Sequence, residues 1–336
     1  MAEAGHRADG SGEDHFIARF LRPLAGTPAA LGLQDDAALL SPPPGADLVL
    51  TKDAVVAGVH FFPDDPPASV ARKALRVNLS DLAAKGARPL GALLALALPK
   101  ATPEAWVEAF AAALGADLTT YGCPLLGGDT VVTPGPLTLT LTALGAVPHG
   151  GFVPRTGAGA GQAILVSGTI GDAALGLLLR RDSPHPAFAG LDDAQRGHLL
   201  DRYLHPQPRM ALADALRAFA ASAMDVSDGL VGDLAKMLAA SGCGGHIAAH
   251  RVPLSGAATA AIRHDGRLLA NALTGGDDYE ILACVPHAAV RDFMAAAARA
   301  GVPVAPIGET RAEPGLEVRD AGGHPLDFGA GSYSHF

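Results

Sequence analysis

SVARKALRVNLSDLAAKGARPLGALLALAL, residues 69–98, decides the fold class of this chain. Ser69 to Lys85 is a long run rich in Ala and Leu that Gly86 stops, and it reads as a helix. Leu90 to Leu98 is a short apolar run and reads as a strand. Another strand, DLVLTKD at Asp47–Asp53, stands before the helix, so the local order is β-α-β and the class is α/β, of the α+β type. Downstream, Pro103 to about Tyr121 reads as a second helix closed by Gly122. LTLTLTALGA, ending at Ala146, alternates Leu with Thr and predicts a strand with one apolar and one polar face. Upstream, Phe16, Ile17, Phe20 and Leu21 predict a short helix ending before Pro23, and residues 1–12 read as a flexible leader.

The stretch PHGGFVPRTGAGAG, Pro148–Gly161, has no periodicity and is dominated by Gly and Pro, so it reads as a linker. It divides the chain into an N-terminal domain, residues 13–150, and a C-terminal α/β domain, residues 151–336. The second half carries predicted strands at Ala163–Ser167, Tyr279–Val285 and Pro303–Ile307. Its predicted helices are Asp172–Arg180, Arg209–Ala221, Leu230–Ser241 and Ala288–Ala300. With 336 residues, 49% of them apolar, both halves are long enough to bury a core.

Composition excludes several functions. The longest apolar run, Gly91 to Pro99, is far below the ~20 residues that cross a bilayer, so no membrane is expected and the location reads as cytoplasmic. A net charge of −9 argues against a nucleic-acid partner. The three cysteines are widely spaced, which argues against a disulfide framework or structural zinc. None of the five lysines follows a glycine, so a phosphate loop of the GxxxxGK type is absent, and HExxH and GxSxG are absent too.

What remains is a set of aspartates in Gly-rich corners: GLQDDAAL (Asp35, Asp36), LTKD (Asp53), NLSDLAAKGA (Asp81), GGDT (Asp129) and DVSDGL (Asp225, Asp228). Each alone also reads as a turn, an ion pair (Asp81 with Lys85) or a helix cap (Asp225 and Asp228 before Leu230). Together they form a set of hard oxygen donors without His or Cys, which is what Mg²⁺ selects, and Mg²⁺ usually accompanies phosphate. Thr51 and Asp53, two apart on a strand, project from one face, and Lys52 from the other.

The ordered set GLQDDAALL, LTKDAVVAGVHF, KALRVNLSDLAAKGARP, GGDTV, VPRTGA, HPQPR, AMDVSDGL and LTGGDDYEI resembles the thiamine-monophosphate kinase family, within the superfamily typified by aminoimidazole ribonucleotide synthetase. The resemblance runs from about Gly12 to Phe336. It implies phosphorylation of thiamine monophosphate to thiamine diphosphate with ATP as co-substrate and several Mg²⁺, in a homodimer whose N-terminal domains form a shared β-barrel. Carried over position by position, it implies Mg²⁺ at Asp36, Thr51, Asp53, Asp81, Asp129, Asp225 and Asp228. It implies ATP at Gly128, Asp129, Arg155 and Ser227, and the thiamine substrate at His60, Asp277 and Tyr333. Arg155, Asp81 and Asp129 are then the catalytic candidates. Two positions depart from the family: Lys52 stands where threonine is usual, and Asp277 where glutamate is usual. The alternatives are another ATP-using member of the superfamily, such as aminoimidazole ribonucleotide synthetase, and a non-catalytic nucleotide-binding protein.

Charge dictates the expected mechanism. ATP carries about four negative charges, and two like charges 4 Å apart repel by ~4 kcal/mol at an effective dielectric of 20. Carboxylates and phosphates therefore share a site only with several cations. The acceptor phosphate, with its second pKa near ~6, is ionised at pH 7 and needs no general base.

Overall fold

The computed structural model describes residues 12–181, 185–329 and 331–332. Most of the leader and Tyr333 lie outside them. The chain divides into two compact units: one runs through Pro44 with Leu50–Asn78 and Pro89–Gly145, and the other joins Gly45–Val49 and Leu79–Arg88 to the chain from Ala146 onward.

The first unit opens with a helical turn, α1 (Gly12–Phe16), then β1 (Ala46–Val56), α2 (Pro67–Ala84), β2 (Arg88–Pro99), α3 (Glu104–Tyr121), β3 (Leu125–Thr133) and β4 (Thr138–Pro148). Its four strands form one open sheet in the order β1-β4-β2-β3, and no closed barrel forms among the described residues. β2 and β3 are parallel, joined through α3 as a βαβ unit. The Leu/Thr alternation holds along β4: Leu139, Leu141, Ala143 and Val147 are buried, while Thr138, Thr140 and Thr142 are half-exposed. The apolar run on β2 is different, because Leu94, Leu96 and Leu98 are buried and Leu93 and Ala95 are exposed. Gly122 ends α3 in the left-handed conformation at φ 61°, its N–H bonded back to Leu118 and Thr119. Arg76 of α2 meets Asp117 of α3 with two bonds of 2.6 and 3.0 Å, an ion pair with little solvent around it.

Sequence pattern alone reads LLGGDT as a corner, yet it is β3. Two adjacent glycines suppress the strand signal, and a backbone approach requires one of them. A Cβ on Gly128 would stand 1.8 Å from the Leu94 carbonyl oxygen of β2, beside the register shift between Ala92 and Leu93.

The second unit contains β5 (Gln162–Ser167), α4 (Asp172–Arg181), α5 (Asp193–Leu204), α6 (Ala213–Phe219), β6 (Ser222–Asp225), α7 (Leu230–Ala240), β7 (Gly244–Ala248), α8 (Gly256–His264), α9 (Leu268–Thr274), β8 (Ile281–Pro286), α10 (His287–Arg299), β9 (Val304–Arg311), β10 (Gly315–Arg319) and β11 (Pro325–Leu326). The sheet order is β11-β10-β7-β9-β5-β8-β6, antiparallel except for β10 beside β7. Both faces are covered. Ile164 and Val166 pack with Leu234, Met237 and Ile307, and Leu165 packs on the other side with Leu216, Val285 and Phe293. A third cluster of Leu175, Phe188, Leu199 and Ala258 sits among α4, α5 and α8. α5 and α8, like β6 and β7, lie outside the predicted elements, although Asp192 with Gln195 forms a capping box at α5 and the Ser255 hydroxyl caps α8.

The Gly128 approach yields a test that needs no ligand. Gly128→Ala is expected to destabilise the protein by ~3 kcal/mol, because backbone cannot yield as a side chain can. Gly127→Ala, whose Cβ meets only Leu93 Cδ2 at 3.5 Å, should melt close to wild type. Equal melting temperatures for the two variants would refute the account.

Candidate active site

In the first unit a cleft of about 670 Å³ is lined by Asp35 and Asp36 from the loop before β1, Lys52 of β1, Gly128 and Asp129 of β3, and Thr140 of β4, among others. Two acidic corners far apart in the sequence, GLQDDAAL and GGDT, thus face one space. The Asp129 carboxylate accepts the Thr130 N–H at 2.8 Å and is exposed. Along β1 exposure alternates: Leu48, Leu50, Lys52 and Ala54 are exposed, Thr51 and Asp53 half-exposed, and Val49 and Val55 buried. The strand register is therefore regular, and Lys52 is the β1 side chain lining the cleft. Thr51 and Asp53 project from the opposite face. His60 lies in the turn after β1, where its Nδ1 accepts the Val56 N–H at 3.0 Å, so the neutral ring carries its proton on Nε2.

In the second unit the DVSDGL motif is the strand β6, a turn and the start of α7. Asp225 is buried at the end of β6 and accepts the Ser80 hydroxyl at 2.6 Å. Ser80, Asp81 and Lys85 lie on α2 and the residues that close it. Burial, followed by the charge of Asp81, pushes the Asp225 carboxyl up to about 8, while the Ser80 bond and Lys85 pull the other way. Lys85 donates to the Ala223 carbonyl at 2.8 Å. Burial holds the Lys85 ammonium below its ordinary range, against the opposing pull of Asp225 and then Asp81, and Arg155 lowers it further. Asp225 is thus not a helix cap, and Lys85 ties α2 to β6 rather than acting only as a partner of Asp81.

The capping role falls to Asp233, a residue that no sequence motif singled out. Its Oδ2 accepts the N–H groups of Ser227 at 3.0 Å and Asp228 at 2.8 Å, closing the turn that presents both. Lys236 bonds Asp228 at 2.5 Å and Asp233 at 3.1 Å. The spacing DGLVGDLAK, with acid and base one turn apart at the head of a helix, is the signal that could have revealed it.

GGDDYE runs beside DVSDGL. The Asp277 N–H donates to the Ser227 carbonyl, the Tyr279 N–H to Val226, and the Val226 N–H to Glu280, each at 2.8 Å. Gly276 has no room for a Cβ, which would stand 2.1 Å from the Ser227 carbonyl oxygen. Arg155 is exposed and follows Pro154, whose carbonyl accepts the Ala223 N–H at 3.0 Å. The second unit therefore gathers Asp81, Arg155, Asp225, Ser227, Asp228 and Asp277 around β6 and its turn. Tyr333 is outside the described residues.

Among the described residues no three His, Cys, Asp or Glu side chains form a ready-made metal cage. The donors nevertheless fit Mg²⁺ by chemistry. Asp81 and Asp225 are hard oxygen donors whose mutual repulsion a divalent cation would relieve, and Asp36 and Asp129 face a common cleft.

Two family models match the chain: AIR synthase related protein, N-terminal domain, over residues 34–147, and the corresponding C-terminal domain over residues 159–321. A thiamine-monophosphate kinase of Caulobacter vibrioides is 48% identical over 302 residues, 88% of this chain and 83% of its own length. The crystal structure of thiamine-monophosphate kinase from Stenotrophomonas maltophilia matches with a TM-score of 0.81 at 38% identity, covering 93% of this chain and 96% of that one. The structure of AaThiL complexed with AMPPCP and TMP matches with a TM-score of 0.75 at 29% identity, covering 90% and 91%. Acidic corners, strand-turn-helix motif and close relatives agree, and the chain belongs to the thiamine-monophosphate kinase family of AIR synthase related proteins.

Proposed function

We propose that the chain transfers the γ-phosphoryl group of ATP to thiamine monophosphate, giving thiamine diphosphate, by direct in-line displacement. The observation that carries this reading is the buried Asp225 carboxyl at the end of β6, raised by burial and by the like charge of Asp81 while the Ser80 hydroxyl bonds it, an arrangement unfavourable in itself and suited to cations. The AIR synthase related fold and the thiamine-monophosphate kinase relatives support the same activity.

In this reading the Mg²⁺ ligands of the first unit are Asp36 and Asp129 in the cleft and, separately, Thr51 with Asp53 on the other face of β1, and those of the second are Asp81, Asp225 and Asp228. When bound, Mg²⁺ supplies charge neutralisation at the phosphates. Gly128, Asp129, Ser227 and Arg155 hold ATP, and Arg155 offsets charge on the transferring group. His60, Asp277 and Tyr333 hold the thiamine end. Lys236, bonded to Asp228, has to release that carboxylate when it takes a cation. The acceptor phosphate is already ionised, so the chain supplies no general base.

We also propose a cytoplasmic homodimer, with residues 13–150 as the ATP, Mg²⁺ and dimerisation domain and residues 151–336 as the C-terminal α/β domain. No described helix is long and apolar enough to cross a membrane. The open sheet of the first unit exposes Leu48, Leu50, Leu93, Val131 and Val132, and its closure into a barrel by a second copy would bury them. Light scattering at micromolar concentration should give twice the monomer mass, and Leu93→Asp should halve it. A wild-type monomer refutes the dimer.

Turnover should require Mg²⁺ and thiamine monophosphate, with thiamine a poor acceptor because it lacks the ionised phosphate nucleophile. Equal rates with the two acceptors, or no product in millimolar Mg²⁺, would refute the kinase reading.

The Asp225 environment also fixes a pH dependence. Its carboxyl titrates near 3.8 when unfolded and about 8 when folded, so between these values the folded state binds more protons. Metal-free stability therefore falls as pH rises from about 4 to about 8. Asp225→Asn should melt above wild type at pH 8 without metal and lose this dependence, while its turnover drops at least ~100-fold. A metal-free variant that melts below wild type at pH 8 would make Asp225 a structural acceptor only.

A further inference from the structure

HPQPR and the tail of GGDDYE remain unabsorbed by the function above, and the fold joins them. Glu280, fully buried at the foot of β8, accepts the Ser167 hydroxyl at 2.6 Å and Arg202 Nη2 at 2.9 Å. Arg209 closes a fork on the same carboxylate, with Nε on Oε2 at 2.6 Å and Nη2 on Oε1. The carboxylate also occupies the place where a side chain of residue 168 would stand: a Cβ on Gly168, at φ +56°, would lie 2.1 Å from Glu280 Oε1. Two residues back, Asp278 is equally buried, and its two oxygens accept the Gly171 N–H at 3.0 and 2.9 Å.

The residues between and before these anchors are the unusual ones. Asp277 and Tyr279 have φ of 70° and 52°, left-handed values that side chains other than glycine rarely adopt. Such a conformation persists only where the surroundings over-determine it. Here the inward residues, Asp278 and Glu280, are tied down, and the outward ones, Asp277 and Tyr279, are twisted into place. Asp277 in turn donates its N–H to Ser227, and the Tyr279 hydroxyl bonds the Asp277 carboxylate at 3.2 Å.

We propose that Glu280, Arg202, Arg209 and Ser167 are positioning residues: their buried clamp holds the left-handed Asp277–Tyr279 segment, and with it the Asp277 carboxylate, in the geometry that receives the acceptor substrate. The proposal deepens the kinase reading and rests on it for the identity of that substrate. Arg209 is the residue to change, because its loss leaves Glu280 and Arg202 as a neutral pair, whereas loss of Glu280 strands two cations.

The experiment compares wild type, Arg209→Met and Arg209→Lys as the full chain, by backbone hydrogen exchange, melting and steady-state kinetics. In Arg209→Met the amides of Asp277 and Tyr279 should exchange ~10-fold faster while those of β5 keep their protection. The KM for thiamine monophosphate should rise ~10-fold with the KM for ATP within ~2-fold, and Arg209→Lys, with a point charge in place of the fork, should recover part of both effects. Should Arg209→Met fail to fold, Arg209→Gln, which also leaves Glu280 and Arg202 as a neutral pair and can still donate one bond, carries the same readouts. Unchanged exchange at Asp277 and Tyr279, or a loss of rate that follows melting alone with both KM values intact, overturns the clamp. Faster exchange in the variant of a wild type that does not phosphorylate thiamine monophosphate overturns the kinase reading and leaves the clamp standing.

Discussion

Burying carboxylates close together in a chain that is already acidic is the constraint on which this molecule turns. A carboxylate removed from water is unfavourable unless donors, cations or a proton replace the lost hydration. Around β6 the protein supplies only part of that replacement. Ser80 donates one hydrogen bond to Asp225, Lys85 spends its own hydrogen bond on the Ala223 carbonyl, and the Asp81 charge works against both. The residual imbalance is what makes the region receptive to a divalent ion.

Other buried acids of the second unit are built into the scaffold by their bonds. Asp233 caps the turn of DVSDGL, Asp278 caps Gly171, Asp172 accepts the hydroxyls of Thr169 and Ser255, and Glu280 is surrounded by guanidinium and hydroxyl donors. Asp225 and Asp278 are both buried and both have raised carboxyl pKa values, by burial first in each case; the Ser80 hydroxyl bonds Asp225, and the Gly171 N–H is shared between the two oxygens of Asp278.

Much of this was legible in the sequence, for local reasons. α2, α3, β2 and β4 carry their own periodicity and stops, so pattern sufficed for them. β3 was hidden because Gly127 and Gly128 erase the strand signal, and the reason for Gly128 is a carbonyl on another strand. The acidic corners were visible as motifs, and the structure adds that Asp36 and Asp129 share a cleft with Lys52, while Thr51 and Asp53 leave β1 from its other face. Asp233 escapes a search for ordinary caps because its partners lie five and six residues back, outside the usual capping offset. The Glu280 cluster was invisible for a stronger reason: its partners are 71 to 113 residues away, and nothing local announces such a pairing.

The Gly168–Glu280 encounter also limits how this protein can change over generations. A side chain at 168 would claim the volume of the carboxylate, so any mutation there is incompatible with Glu280 still in place. Removing Glu280 first would leave Arg202 and Arg209 buried without their shared anion. The four positions are therefore not independent letters, and their effects cannot add. A lineage could dismantle the arrangement gently only by beginning at an arginine, and Arg209 is the member nearest solvent, so the order of substitution is itself written into the packing.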